Sequence, residues 1–276
     1  MTEYDSGKGH KDENFPVASF LIRPELRGPI LTFYRFARAA DDIADHETAS
    51  TETKLAQLAW MRGGLDGEGA PEAMALGRLH RERGIDPAHA QELLDAFVQD
   101  VTQGRYADWD ALIGYCRLSA MPVGRFVLDL HGEDRATWPA NDALCAALQV
   151  INHLQDCKKD YVERDRVYIP LPMLEAAGLT VEALAADRAA PELRAIIDKL
   201  AVRTQDLLRQ SAPFARQIRD TRLAAEVAVI QRLAEDLTQG LLRRDPLSEK
   251  VHHSKPRAAR LALGALVRHA LNRIAR

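Results

Sequence analysis

The sequence predicts an all-α protein. Apolar residues recur at helical spacing along nearly the whole chain, and no stretch alternates with period two through β-branched residues. Prolines fall where one helix must stop and the next begin. With 276 residues, 46% of them hydrophobic, the chain can bury a sizeable core, and disorder is not the expectation. Neither an internal repeat nor a low-complexity linker divides it, so one helical domain over 1–276 is expected, with 1–13 flexible.

The first helix is expected over 24–46. Pro24 suits a first turn, and Ile30, Phe33, Tyr34, Ala37, Ala40 and Ile43 follow helical spacing. Further helices are expected at about 51–63, 71–83, 87–102, 109–131, 140–161, 191–219, 221–244 and 257–275. Asp86-Pro87, Trp138-Pro139, Ala190-Pro191 and Asp245-Pro246 mark boundaries between them. Pro122 and Gly124 predict a kink or break inside 109–131.

Composition excludes several function classes. A net charge of −3 argues against a general nucleic-acid binder, which needs a basic surface. Cys116, Cys145 and Cys157 are odd in number and lack zinc-ligand spacing, so the cytoplasm is the expected compartment. The polar N-terminus has no apolar signal region, and no run approaches the roughly 18–20 apolar residues of a membrane span. The near-neutral balance hides an asymmetry. From Lys250 onward there are seven basic residues and no acid, which leaves 30 basic against 40 acidic residues before it, a balance of −10.

Two strings carry chemistry. In Arg38-Ala-Ala-Asp41-Asp42-Ile-Ala-Asp45, Asp41 and Asp45 stand four residues apart on one helical face and repel one another by roughly a few tenths of a kcal/mol. A divalent cation removes that penalty, and carboxylate oxygens suit Mg²⁺. A solvated acidic face would give the same string. In Gln149-Val-Ile-Asn152-His-Leu-Gln155-Asp156-Cys-Lys-Lys-Asp160, the residues Gln149, Asn152, Asp156 and Asp160 fall on one face at i, i+3, i+7 and i+11. Apolar Leu144, Leu148, Val150, Ile151 and Leu154 surround that stripe, and buried polar groups need partners such as a metal ion or phosphate. A surface stripe on an amphipathic helix is the alternative. Two Asp-x-x-x-Asp pairs on two helices are more specific than either, and imply facing helices that hold a diphosphate through bridging Mg²⁺.

With these strings on the page, the chain resembles the squalene/phytoene synthases of head-to-head isoprenoid coupling. Within them it is most similar to the bacterial hydroxysqualene synthases of hopanoid biosynthesis. The resemblance rests on Asn14-Phe15-Pro16-Val17-Ala18-Ser19, the string from Tyr34 to Asp45, Tyr115-Cys116-Arg-Leu-Ser119-Ala-Met-Pro122-Val123-Gly124, the string from Gln149 to Asp160, and Arg166-Val-Tyr168-Ile-Pro170. It implies an all-α isoprenoid-synthase fold with a central apolar cavity and ionisation of an isoprenoid diphosphate with two or three Mg²⁺. Asp41 and Asp45 would hold metal from one side, Asp156 and Asp160 from the other. Arg38, Asn152 and Arg166, with Lys255 or Arg257 folded back from the tail, would bind diphosphate. Tyr115 and Gln149 would line the reacting centre. Asn14, Phe15, Phe33, Tyr34, Ser119, Val123, Gly124 and Leu148 would line the cavity, and Tyr168 would pack.

The sequence departs from the coupling enzymes at three positions. They carry Ser before the residue matching Phe15 and a basic residue before that; here stand Asn14 and Glu13. They read Leu-Arg-Asp where this chain reads Leu154-Gln155-Asp156. Two cationic donors to a diphosphate are thus missing, which fits a chain receiving one diphosphate, presqualene diphosphate, better than one binding two. Ionisation, rearrangement and water capture would give hydroxysqualene, with Tyr115, Ser119, Asn14 and Gln149 as candidates to position the water. NADPH is not expected. The alternatives are a head-to-head transferase making presqualene or phytoene diphosphate, and a non-catalytic assembly factor of the same fold.

At the C-terminus, Leu263, Leu266, Val267, Ala270, Leu271 and Ile274 form an apolar stripe with basic flanks over 255–276. It would pack on the domain or lie on an anionic bilayer at the inner face of the cytoplasmic membrane. The expected partners are therefore an isoprenoid diphosphate, a membrane surface and neighbouring squalene-pathway enzymes, not nucleic acid.

Overall fold

The structure, a computed structural model, describes residues 21–274. The expectations for 1–13 and for Asn14 and Phe15 fall outside the described residues. Thirteen α-helices follow in order among these: α1 Pro24–Ala44, α2 Thr51–Asp66, α3 Pro71–Arg83, α4 Ala88–Thr102, α5 Trp109–Ser119, α6 Met121–Leu130, α7 Trp138–Gln155, α8 Cys157–Arg164, α9 Leu171–Ala176, α10 Pro191–Ser211, α11 Phe214–Gln217, α12 Thr221–Leu241 and α13 Lys255–Ile274. The all-α expectation holds, and only an isolated bridge between Arg105 and Val167 interrupts it among the described residues. Two units arise by contact, one of residues up to Gln103 with Arg117–Arg135, the other of Gly104–Cys116 with Ala136 onward.

In the first unit, α1 buries Leu26, Ile30, Phe33, Phe36, Ala40 and Ile43, a stripe of helical period that packs on α2, α3 and α4. Ser50 caps α2 by accepting the Thr53 N–H at 3.2 Å. A Cβ at Gly77 would lie 2.2 Å from the Leu65 carbonyl oxygen, so glycine there lets α3 approach α2 closely. Phe126 of α6 stacks on Phe33 with centroids 4.2 Å apart, fixing α6 to the same core.

In the second unit, α7 packs on α10 and α12 through Ala143, Ala146, Ala147 and Ile151, small and apolar residues that allow close contact. Asp220 caps α12 by accepting the Arg222 and Leu223 N–H groups at 2.9 Å each. Arg194 of α10 donates to the Arg244 carbonyl at 2.6 Å and also to the Leu241 carbonyl, which satisfies the end of α12. α13 lies on α12 and buries Ala265.

Four differences from the sequence reading have physical causes. The expected break in 109–131 falls at Ala120, because Pro122 belongs in the first turn of α6, where its missing N–H has no partner to lose. The expected 140–161 helix is two helices, interrupted at Asp156 with φ −105° and ψ 11°. The expected 191–219 helix ends at Ser211, because Pro213 cannot donate to the Arg209 carbonyl, and Ala212 takes it at 3.3 Å. α9 and the short 3-10 turns at Arg135–Thr137 and Val181–Ala185 were not anticipated. The stretch Trp109–Leu130 has the length and hydropathy, 1.2, of a candidate span. It is split at Ala120 and places Leu112, Tyr115, Cys116, Phe126 and Leu128 in the protein core.

His80 supplies a test of the first unit's packing. Its ring is buried on α3, and neither ring nitrogen has a hydrogen-bond partner. Burial, helped by His89, pushes its pKa down to about 4. The unfolded chain binds this proton near the ordinary value of 6.5, so the stability is full above pH 6.5 and is lost as pH falls toward 4. Chemical unfolding at pH 5 should show His80 removing about 2 kcal/mol relative to pH 7. The His80→Leu variant should lose that part of the slope; an unchanged pH dependence would refute the assignment.

Candidate active site

Helix α1 carries Arg38, Asp41 and Asp42 near its end, and Asp45 caps it. Arg38 donates from Nη1 to Asp41 Oδ2 and from Nη2 to Asp42 Oδ1, both at 2.6 Å. The Asp45 N–H donates to the Asp41 carbonyl at 2.8 Å. A helix C-terminus is itself partly negative, and the last turn of α1 holds no basic residue. Three carboxylates therefore gather where the helix dipole already disfavours them. Burial raises the Asp41 pKa to about 7, Asp45 adds to the rise, Arg38 opposes it, and Asp100 and Asp42 push it further up. Asp100, on α4, was missed in the sequence; it stands alone in its string, and only the packing of α1 on α4 makes it part of this charge cluster.

In the second unit, Gln149 and Asn152 are half-buried on α7, Asp156 sits in the break and Asp160 in the first turn of α8. The stripe is thus divided between two helices. The Asp156 N–H still donates to Asn152 at 2.9 Å and the Asp160 N–H to Asp156 at 2.8 Å, so the turn-by-turn order survives the break. Arg164 lies 3.7 Å from Asp160. Asp165 then takes a left-handed conformation, φ 51°, and ends α8. Arg105 donates to the Asp165 carbonyl and carboxylate, the Val167 N–H donates to Gly104 at 2.9 Å, and the Leu171 N–H to Tyr106 at 3.1 Å. These bonds hold Arg166-Val-Tyr168-Ile-Pro170 extended against 104–106.

Tyr168 is buried, and its ring stacks on His153 with centroids 3.5 Å apart. Tyr115 lies 5.8 Å from His153 and 5.5 Å from both Tyr168 and Tyr106. Burial, with the Arg166 charge, pushes the His153 pKa down to about 3, so the ring is neutral. His153 and Tyr106 were missed because an aromatic cluster assembled from three chain segments has no signature in any one of them. Cys157 is buried too, and burial raises its thiol pKa to about 12, which fits packing and not nucleophilic chemistry.

Of the remaining sequence candidates, Phe33 is in the α1–α6 core, Tyr34, Gly124 and Leu148 are half-buried, and Val123 is exposed. Ser119 ends α5, and its hydroxyl is buried without a hydrogen-bond partner. Lys255 is exposed at the start of α13. Arg257 is joined to Asp236 by two hydrogen bonds, from Nε at 2.8 Å and Nη2 at 2.7 Å, and His253 reaches the same carboxylate at 3.0 Å. In this structure Arg257 therefore ties α13 to α12.

Gln155 is buried, and its Nε2 donates to the Val251 carbonyl. At the position where the coupling enzymes carry Arg, this side chain joins the end of α7 to the segment that leads into α13. A guanidinium there would be buried without a counter-ion. Gln155→Arg should destabilise the protein by about 3 kcal/mol or more, read from the urea midpoint. An unchanged midpoint would show that the position can turn its side chain to water.

Comparison with known proteins places this geometry. The squalene/phytoene synthase family profile matches residues 8–257. The hydroxysqualene synthase of Zymomonas mobilis is 54% identical over 264 residues, covering 94% of this chain and 89% of that protein. The hydroxysqualene synthase of Rhodopseudomonas palustris is 54% identical over 253 residues, covering 91% and 87%. The crystal structure of squalene synthase HpnC from Alicyclobacillus acidocaldarius superposes with a TM-score of 0.72 at 30% identity, over 82% of this chain and 87% of that one. The chain, with its aspartate motifs and all-helical fold, belongs to the squalene/phytoene synthase family of enzymes.

Proposed function

We propose that this enzyme ionises presqualene diphosphate and adds water, giving hydroxysqualene and inorganic diphosphate. The reading is supported by 54% identity to two proteins named hydroxysqualene synthase. The departures at Glu13, Asn14 and Gln155 support a site that receives a single diphosphate. The observation that carries the chemistry is the gathering of Asp41, Asp42 and Asp45 at the C-terminal end of α1, where the helix dipole is already negative. Such a cluster calls for added positive charge.

The donor set fits Mg²⁺. Among the described residues no three His, Cys, Asp or Glu side chains converge into a metal site on their own. Carboxylate oxygens are the donor type for Mg²⁺, an ion which keeps several waters and shares its shell with substrate phosphates. Asp41 and Asp45 are the residues proposed to hold it in the first unit, and Asp156 and Asp160 those in the second. When bound, Mg²⁺ supplies Lewis acidity on the departing diphosphate. Asn152 and Gln149 offer amide N–H groups to phosphate oxygens, and Arg166 offers charge-assisted donors. The Tyr115 ring presents π-electron density to the carbocation left behind. Ser119 positions the water: its buried, unpartnered hydroxyl lacks a bond whose absence leaves about 1–3 kcal/mol unrecovered, and a water molecule restores it.

Pyrophosphate release from presqualene diphosphate should fall by about 100-fold or more in Asp41→Asn and in Asp156→Asn, the scale of losing one preorganised electrostatic group. Chelation of Mg²⁺ should abolish release in the wild type, and products should include hydroxysqualene without NADPH. In Ser119→Val, the share of hydroxysqualene should fall in favour of hydrocarbon or rearranged alcohols. Unchanged release in both aspartate variants would sink the reading, and an unchanged product profile in Ser119→Val would remove the serine from it.

A further inference from the structure

The exposed face of α13 is unexplained by any step above. Leu263, Val267, Leu271 and Ile274 are 65%, 52%, 61% and 83% exposed, although each is large and apolar. At about 100° per residue they share an arc of about 80° on the side opposite Ala265, the buried contact with α12. This is a continuous apolar ridge, not scattered surface residues.

Its surroundings are cationic. Arg257 and Arg268 flank the arc on one side, Lys255 and Arg273 on the other, and Arg260 lies within it near the N-terminal end. Arg257 is paired with Asp236. No carboxylate pairs with Lys255, Arg260, Arg268 or Arg273 among the described residues. On the other side of the helix, against α12, is a cavity of about 450 Å³ lined by Ala265, Arg216, Arg232, Arg268, Arg273 and a single acid, Glu235. Arg232 already engages that acid at 3.3 Å, so the cavity keeps a positive excess.

We propose that α13 docks on an anionic lipid bilayer, with Leu263, Val267, Leu271 and Ile274 in the acyl boundary and the arginines on headgroup phosphates. An apolar ridge between basic flanks is the arrangement of an interfacial helix. Charge selects this occupant over a second copy of the chain. Apposing two such faces would bring two sets of unpaired cations together, whereas anionic headgroups neutralise them. The long stem of Arg260 lets its guanidinium reach the headgroup level from inside the arc.

Co-sedimentation of the full chain with vesicles tests this independently of the catalytic reading. The chain should pellet with phosphatidylcholine vesicles carrying phosphatidylglycerol, fail to pellet with phosphatidylcholine alone, and be released by high salt. Leu263→Ser with Leu271→Ser, and separately Arg268→Glu with Arg273→Glu, should each lower the bound fraction by about ten-fold or more. Circular dichroism should show unchanged helicity, and product formation without vesicles should be unchanged. Failure to bind anionic vesicles overturns the proposal, as does binding indifferent to both double variants. A dimer seen by light scattering and abolished by the Leu263/Leu271 variant would assign the ridge to a second copy instead.

Discussion

Negative charge at the end of α1 is the constraint around which the site is organised. Asp41, Asp42 and Asp45 occupy the helix end whose carbonyls already carry partial negative charge. The Asp41 side chain is partly shielded, with 35% of it still exposed, and Asp100 adds a further charge from α4. Arg38 answers two of the carboxylates, Asp41 and Asp42. A sequence selected for stability alone would place lysine or arginine in that last turn. Added positive charge would relieve the repulsion that this placement creates.

The second unit solves a different problem, that of holding a polar stripe steady within apolar packing. Asp156 sits in a helix break and Asp160 in the turn after it, so a single continuous helix does not fix the stripe. Several tethers do so. The left-handed turn at Asp165 redirects the chain, and its backbone bonds to Gly104 and Tyr106 hold Arg166 and Tyr168 extended. Tyr168 then stacks on His153, one residue after Asn152. Gln155, one residue before Asp156, is anchored to Val251. The residues next to the polar groups in sequence are thus the ones locked by packing, which helps to pre-organise the polar groups.

The helices were legible in the sequence because they are written in periodicity and in proline. Pro24, Pro122 and Pro191 each fall in the first turn of a helix, where local chemistry alone settles the outcome. The aspartate pairs were legible for a similar reason, since i, i+4 spacing is a local property. What escaped was set by partners distant in sequence. The break at Asp156 has no proline or glycine to announce it, and the role of Gln155 depends on a carbonyl 96 residues away. Gln155 is instructive here. Read as a missing cation it bears only on diphosphate binding; its burial shows that the same substitution also serves the fold.

The charge asymmetry of the chain joins these strands. The excess of acid before Lys250 and of base after it looks from composition like one large dipole that should close on itself. The structure closes only a small part of it, through Asp236 with Arg257 and His253. That single anchor is enough to seat α13 on α12, because Ala265 and the apolar face of α12 supply the rest of the contact. Among the described residues Lys255, Arg260, Arg268 and Arg273 pair with no carboxylate, so Arg257 alone of these cations is used to anchor the helix.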